Sequence, residues 1–179
     1  MSAHFAADHL LTGLVPVFER SRISLSVADV LRDDCPLVGL NDGFCTLSGY
    51  APDEALNRNC RFLQPETGAG PVRSRIRRFI EDPESKDEKF AIPNIRKDGS
   101  KFLNLVYLAK LRRAGRTVAI LGTQFAAGGA DADLKIYERA VSEDLRQLRM
   151  AVGENHLALL GSYDALASGI SIVAQARLD

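Results

Sequence analysis

One short stretch of the chain brings together most of its chemically versatile side chains. Residues 57–64, Asn-Arg-Asn-Cys-Arg-Phe-Leu-Gln, place one thiol among amides, guanidinium groups and an aromatic ring. Cys60 and Gln64 are four residues apart, so on a helix they share one face, while Arg61 points elsewhere and can neutralise an anion. A core helix does not need this mixture. A metal site does not fit it either, because a single thiol without histidine partners lacks most of the ligands that zinc requires.

A second set of polar residues lies on segments that read as strands. Asn94, Asn104 and Gln124 are predicted to share faces with apolar residues, namely Ile92, Phe102, Val106, Leu108 and Ile120. A buried amide without partners costs about 1–3 kcal/mol. Each amide either bonds to the backbone or to another amide, or the set serves a polar, planar ligand. Their occurrence together with residues 57–64 favours the ligand.

Five strands and several short helices are expected to position these side chains. Period-two alternation and turn signals predict strands over residues 23–27, 36–40, 88–96, 101–112 and 116–126. Lys97-Asp98-Gly99-Ser100 is a strong hairpin turn signal. Helices are predicted over 41–49, with Asn41 as the N-cap, and over 52–56 and 71–82. The fold class is therefore α+β with an antiparallel sheet.

The last two predicted strands carry apolar side chains on both faces, whereas a half-solvated sheet would alternate apolar and polar residues. One face must therefore cover an internal pocket, and terminal helices or another subunit must cover the other. Residues 1–22 are predicted to form an amphipathic cap helix over 3–20, which Pro16 bends or ends. Its apolar side packs either on its own domain or on a partner chain. Residues 127–179 are predicted to form a helical hairpin, over 131–152 and 154 to about 175.

Composition narrows the functional class. The 179-residue chain has 23 Lys plus Arg and 23 Asp plus Glu, so no net charge attracts it to nucleic acid or to an anionic membrane. Its three cysteines do not form a disulfide framework. Neither a signal peptide nor an apolar run of membrane-spanning length is recognised. These features predict a soluble, cytoplasmic protein.

The motifs taken together resemble the LOV domains, the flavin-binding blue-light sensors of the PAS superfamily. The resemblance runs from about Ile23 to Phe125 and is carried by residues 59–64, 94–104 and 120–124. It implies a LOV domain at 23–126, in which a five-stranded antiparallel sheet and short helices clasp FMN. Asn57 stands where the family has glycine, and asparagine is the next-best residue for left-handed backbone.

The resemblance also assigns roles to individual residues. It makes Cys60 the photoreactive thiol and places Gln124 beside flavin N5 as the relay of the signal. Asn94 and Asn104 would read the pyrimidine edge of the flavin ring. The remaining cofactor contacts would be Asn59 and Gln64 to the ribityl chain and ring edge, Arg61 and Arg77 to the phosphate, and Phe62 and Leu63 beside them.

A short blue-light photoreceptor without a fused effector, and not an enzyme, is therefore expected. Its output would be a change in terminal-helix packing or in a homodimer that uses the outer sheet face. Two alternatives stay open: an adaptor that docks a separate kinase or transcription regulator, and a flavin redox sensor with Cys60 as redox thiol. Residues 145–160 weakly resemble the dimerisation helices of some histidine kinases, but Ala151 stands where the phosphoacceptor histidine would be.

Overall fold

A computed structural model describes residues 1–6, 11–21 and 23–127 of the chain. Its strands are β1 (Ala3–Phe5), β2 (Ser24–Asp29), β3 (Leu37–Asn41), β4 (Asp87–Ile95), β5 (Lys101–Arg113) and β6 (Arg116–Ala127). Its helices are α1 (Val15–Arg20), α2 (Asp42–Ser48), α3 (Pro52–Ala55) and α4 (Val72–Glu81), with 3₁₀ turns at Thr12–Leu14 and Cys60–Leu63. The predicted helices at 131–152 and 154–175 lie outside the described residues.

The strands form one antiparallel sheet of six, in the order β1-β3-β2-β6-β5-β4. All five predicted strands are present within one or two residues of their expected ends. The predicted hairpin turn joins β4 to β5. β4 lies at the edge of the sheet, which explains why it tolerates Pro93, a residue without a backbone N–H to donate.

The sixth strand corrects the prediction of a helix over residues 3–20. Ala3–Phe5 instead pairs with the free edge of β3, and among the described residues of this segment the α-helix is Val15–Arg20. Pro16 lies in the first turn of α1, where its missing N–H breaks no helical hydrogen bond. It therefore starts the helix rather than ending it. Apolar periodicity could not reveal that an open strand edge was available to the first residues.

The N-terminal segment covers part of the outer face of the sheet. Leu11, Leu14 and Phe18 are fully or almost fully buried in one cluster with Leu25 on β2 and Leu121 on β6. The ring of Phe5 lies 5.1 Å from the ring of Phe18, measured between centroids. Of the two interpretations of this segment, packing on its own domain is the one observed for these residues.

The inner face is covered by the helices between β3 and β4. Val72 and Phe79 of α4 pack on Phe90 and Val106 of the sheet, and Phe44 of α2 belongs to a neighbouring cluster. These helices enclose the space next to the predicted site. In the part of the chain that the structure describes, no helix is both long and apolar enough to cross a bilayer.

Candidate functional site

The strand register brings the three predicted amides to one face. Ile92 lies opposite Asn104, Phe102 opposite Asn94, and Val106 opposite Gln124. Residues directly opposite on antiparallel strands share a face, so all three amides lie on the inner face, as predicted. Their side chains are 2–5% exposed. The buried polar patch that the sequence predicts is therefore present.

The hydrogen bonds of these amides are incomplete. Asn104 Nδ2 donates to Asn94 Oδ1 at 2.8 Å, and Asn94 Nδ2 donates to the Pro93 carbonyl at 2.9 Å. Asn104 Oδ1 and Gln124 Oε1 are buried and have no hydrogen-bond partner among the described residues. An orphaned carbonyl oxygen of this kind costs about 1–3 kcal/mol. Two such acceptors on the inner face could be satisfied by the hydrogen-bond donors of a ligand.

Cys60 begins a 3₁₀ turn rather than an α-helix. The side chain of Asn59 caps this turn by accepting from the Arg61 backbone N–H at 3.0 Å, and Gln64 ends it. The prediction that Cys60 and Gln64 share one face of an α-helix is therefore wrong, because a 3₁₀ turn repeats every three residues. Asn57 has φ 61°, so it adopts the left-handed conformation that was predicted for it.

The surroundings of Cys60 affect the ionisation of its thiol. The residue is exposed, yet desolvation by the surrounding protein raises the pKa of its thiol, and the nearby Arg61 only partly offsets this. With a raised pKa, the sulfur keeps its proton at neutral pH.

Leu63 is buried beside Phe44, and Phe62 packs against the same cluster. The ring of Phe62 also meets Tyr50 edge-on, with the centroids 4.9 Å apart, and the Arg58 guanidinium lies 4.3 Å from its centroid. These contacts fix the turn against α2 and α3. They anchor Cys60 to the core by the two apolar residues that follow it.

The two predicted phosphate arginines lie near the surface. Arg61 Nη1 forms a 2.6 Å ion pair with Asp34 Oδ1, and both side chains are more than half exposed. Asn59 Nδ2 donates to the Asp34 carbonyl. Arg77 is exposed on α4. An anion held by Arg61 must therefore compete with the Asp34 carboxylate.

Comparisons with known proteins agree with this geometry. The PAS-domain family matches residues 26–125. Phototropin-2 of Oryza sativa subsp. japonica is 39% identical over 100 residues, which are 55% of this chain and 11% of that protein. A solved light-oxygen-voltage domain studied with a flavin analogue is 36% identical with a TM-score of 0.60, covering 71% of this chain and 95% of that chain.

The chain belongs to the LOV domains of blue-light photoreceptors, within the PAS superfamily. A blue-light-activated histidine kinase of Rhizobium johnstonii is 29% identical over 163 residues, which are 90% of this chain and 44% of that kinase. The chain thus spans less than half the length of the curated relatives that it matches.

One contact of this LOV domain was not predicted from the sequence. Gln124 Nε2 donates to Ser26 Oγ on the neighbouring strand β2 at 2.8 Å, and both residues are buried. The signal that could have found Ser26 is the alternation Ser24-Leu25-Ser26-Val27, which puts two hydroxyls on the face opposite the apolar pair. That face is the one that carries Gln124.

Two basic residues that were not singled out from the sequence, Arg96 and Lys97, connect the β4–β5 hairpin to the helices. Arg96 Nε donates to the Leu47 carbonyl at 2.9 Å, and its guanidinium lies 4.3 Å from the Phe102 ring centroid. Lys97 Nζ bonds both carboxylate oxygens of Glu54 at 2.6 and 2.7 Å. These contacts join the strands that bear Asn94 and Asn104 to the end of α2 and to α3.

Proposed function

We propose that this LOV domain binds FMN between its inner sheet face and helices α2 to α4 and detects blue light through Cys60. The observation that carries the proposal is Asn104 Oδ1, which is buried without a hydrogen-bond partner among the described residues and lies on the same face as the buried amides of Asn94 and Gln124. Bound flavin supplies blue absorption and, once excited, an electrophilic carbon at C4a.

The residues fit such a group. The pyrimidine edge of a flavin carries one N–H between two carbonyl oxygens, and an amide side chain can serve either kind of atom. Asn104 is fixed by its bond to Asn94, which leaves Asn104 Oδ1 to accept from an N–H. The apolar residues around the pair, including Ile92 and Val106, suit the faces of a planar ring.

Cys60 would react as a protonated thiol. Its sulfur would bond to C4a while its proton goes to N5, and the reverse transfer in the dark would restore both groups. The raised pKa of Cys60 supports this assignment, because the thiol arrives with the proton that N5 requires. It does not favour a redox sensor, since oxidants react with thiolates.

Gln124 would detect the proton at N5. An amide can present either its nitrogen or its oxygen to the same place by rotating, and an aliphatic side chain cannot. Gln124 lies three residues before the end of β6 at Ala127, directly ahead of the C-terminal extension. Its rotation would bias how that extension or a second protomer docks on the outer face.

For the output we propose a homodimer that uses the terminal segments and the outer sheet face. A second candidate is docking to a separate kinase or transcription regulator. The similarity to the Rhizobium johnstonii kinase supports this second candidate, because it covers 90% of this chain and extends beyond the LOV domain. Light-dependent elution from a size-exclusion column supports the homodimer, whereas an unchanged elution volume argues against a dimer controlled by light.

Replacing the thiol tests the sensing chemistry. Cys60→Ala should bind flavin normally and lose the light-induced bleaching of its blue absorption band, because the sulfur that bonds to C4a is gone. Cys45→Ala is the matched control, since Cys45 is a partly buried thiol with a raised pKa on α2. It should bleach and recover as the wild type does. Bleaching of Cys60→Ala that recovers in the dark would contradict the proposal.

A further inference from the structure

Two hydroxyl groups lie on strand β2 beside Gln124. Ser24 is directly opposite Gln124 in the register, and Ser26 is directly opposite Gly122. Ser26 Oγ accepts from Gln124 Nε2 at 2.8 Å, whereas Ser24 Oγ is buried without a hydrogen-bond partner in the part of the chain that the structure describes. Ser26 therefore binds the amide of Gln124, and Ser24 is a suitable control residue because its hydroxyl does not.

Gly122 keeps the space around this bond open. A Cβ atom built on Gly122 would lie 3.0 Å from Ser26 Oγ and 3.6 Å from Gln124 Nε2. It would also meet Leu108 Cδ2 at 3.5 Å. A side chain at position 122 would crowd the Ser26 hydroxyl, so the glycine leaves room for the hydroxyl that holds the amide.

The chemistry of a hydroxyl suits an amide that has two orientations. An amide nitrogen only donates hydrogen bonds and an amide oxygen only accepts them, but a serine hydroxyl does both. Ser26 can therefore accept from Nε2 in one orientation and donate to Oε1 in the other. In the orientation observed here, Nε2 is on Ser26 and Oε1 is left without a partner among the described residues.

We propose that Ser26 is the positioning residue for Gln124 in both orientations of its amide. This inference rests on the proposed function, in which Gln124 turns between an accepting and a protonated N5. With Nε2 toward an accepting N5, Oε1 accepts a hydrogen bond from the Ser26 hydroxyl. With Oε1 toward a protonated N5, Ser26 accepts from Nε2, which is the contact observed here. Ser26 exchanges its roles without leaving its place.

Light-minus-dark infrared spectra of protein labelled with ¹³C at the glutamine side-chain carbonyl provide the test. In Ser26→Ala, the dark-state carbonyl band of Gln124 should move to higher wavenumber, because Oε1 loses the Ser26 donor. The light-state band should stay in place, since its donor is N5–H. Ser24→Ala should leave both bands where the wild type has them, and loss of the band in Gln124→Leu assigns it.

A second readout needs no flavin. In the flavin-free protein, the ¹⁵N resonance of the Gln124 side-chain amide should shift in Ser26→Ala and remain unchanged in Ser24→Ala. If Ser26→Ala does not fold, the pair Ser26→Thr and Ser26→Val replaces it, since these side chains have similar shapes and only threonine carries the hydroxyl. Threonine should keep the wild-type band, and valine should show the shift.

The possible outcomes distinguish a failure of the proposed function from a failure of the role of Ser26. A wild-type protein that does not bleach in blue light overturns the proposed function and, with it, this role of Ser26. A protein that bleaches normally but shows the same dark-state carbonyl band in wild type and Ser26→Ala overturns the role of Ser26 alone. Equal band positions in the threonine and valine variants lead to that same conclusion.

Discussion

Replacing Asn94 and Asn104 together by leucine should raise the stability of the flavin-free protein and weaken flavin binding. Both amides are buried, at 4% and 2% exposure, and leucine is close to asparagine in size and shape. They bond to each other, yet Asn104 Oδ1 has no partner within the described residues. If the pair serves a ligand rather than the fold, removing it should affect the two properties in opposite directions.

The magnitude follows from the contacts. The orphaned oxygen costs about 1–3 kcal/mol, and each of the two bonds lost with the amides contributes about 1 kcal/mol net. These two effects nearly cancel, so the gain comes from the apolar contacts that the leucines make with neighbours such as Ile92, since burying a leucine side chain contributes about 1.5–3 kcal/mol. The free energy of unfolding should rise by about 1–3 kcal/mol. Flavin affinity should fall by about 100-fold, since two lost hydrogen-bonding side chains at about 1.4 kcal/mol each give a factor of ten apiece.

Urea denaturation of flavin-free protein and titration of flavin fluorescence measure the two quantities. The single variant Asn104→Leu is the internal control, because it removes the orphaned oxygen but leaves Asn94 Oδ1 without its donor. It should gain less stability than the double variant, and the difference in a double-mutant cycle reports the coupling of the pair. A double variant that loses more than about 1 kcal/mol of stability and binds flavin like the wild type would show that the pair serves the fold and not a ligand.

Three further predictions concern the scaffold. Asn41→Ala should lower the free energy of unfolding by about 3 kcal/mol in urea, because Asn41 Oδ1 accepts two buried backbone N–H groups and caps α2; a loss below about 1 kcal/mol would contradict this. The backbone N–H of Ser2 leads the contacts that lower the pKa of Asp42. At pH values above about 3.9, the unfolded pKa of an aspartate, ionised Asp42 should therefore stabilise the pairing of β1, and this stabilisation should be lost as the pH falls through the lower folded pKa. Hydrogen exchange of β1 as a function of pH measures this, and Asp42→Asn should remove the pH dependence. Gly39→Ala should release β1 and speed its hydrogen exchange, since the new Cβ would lie 2.5 Å from the Phe5 ring and 2.8 Å from Val27 Cγ1; exchange as slow as in the wild type would contradict this.

Much of the site was predictable because its signals are local. Strand alternation and the hairpin turn determine on which face of the sheet Asn94, Asn104 and Gln124 lie, because two residues directly opposite each other on neighbouring strands share a face. The left-handed backbone at Asn57 also follows from residue type, since few side chains other than glycine tolerate it. These are properties of a few neighbouring residues.

Other features depended on residues far apart in the sequence. β1 exists because β3 leaves an edge unpaired and because Asp42 lies close enough to accept from Ser2, 40 residues earlier. Helical periodicity in the first twenty residues could not contain that information. The ion pair of Arg61 with Asp34 and the link of Lys97 to Glu54 likewise join loops that the chain alone does not place together.

The amino-acid sequence shows which residues have the chemistry: one thiol in residues 57–64 and three amides on three neighbouring strands. The tertiary structure decided how their hydrogen bonds are shared. Ser26 and Gln124 are 98 residues apart, and only the pairing of β2 with β6 brings them within 2.8 Å. Strand alternation fixes the face on which a side chain lies. The partner that it meets there depends on the order and register of the strands, which are settled by contacts across the whole sheet.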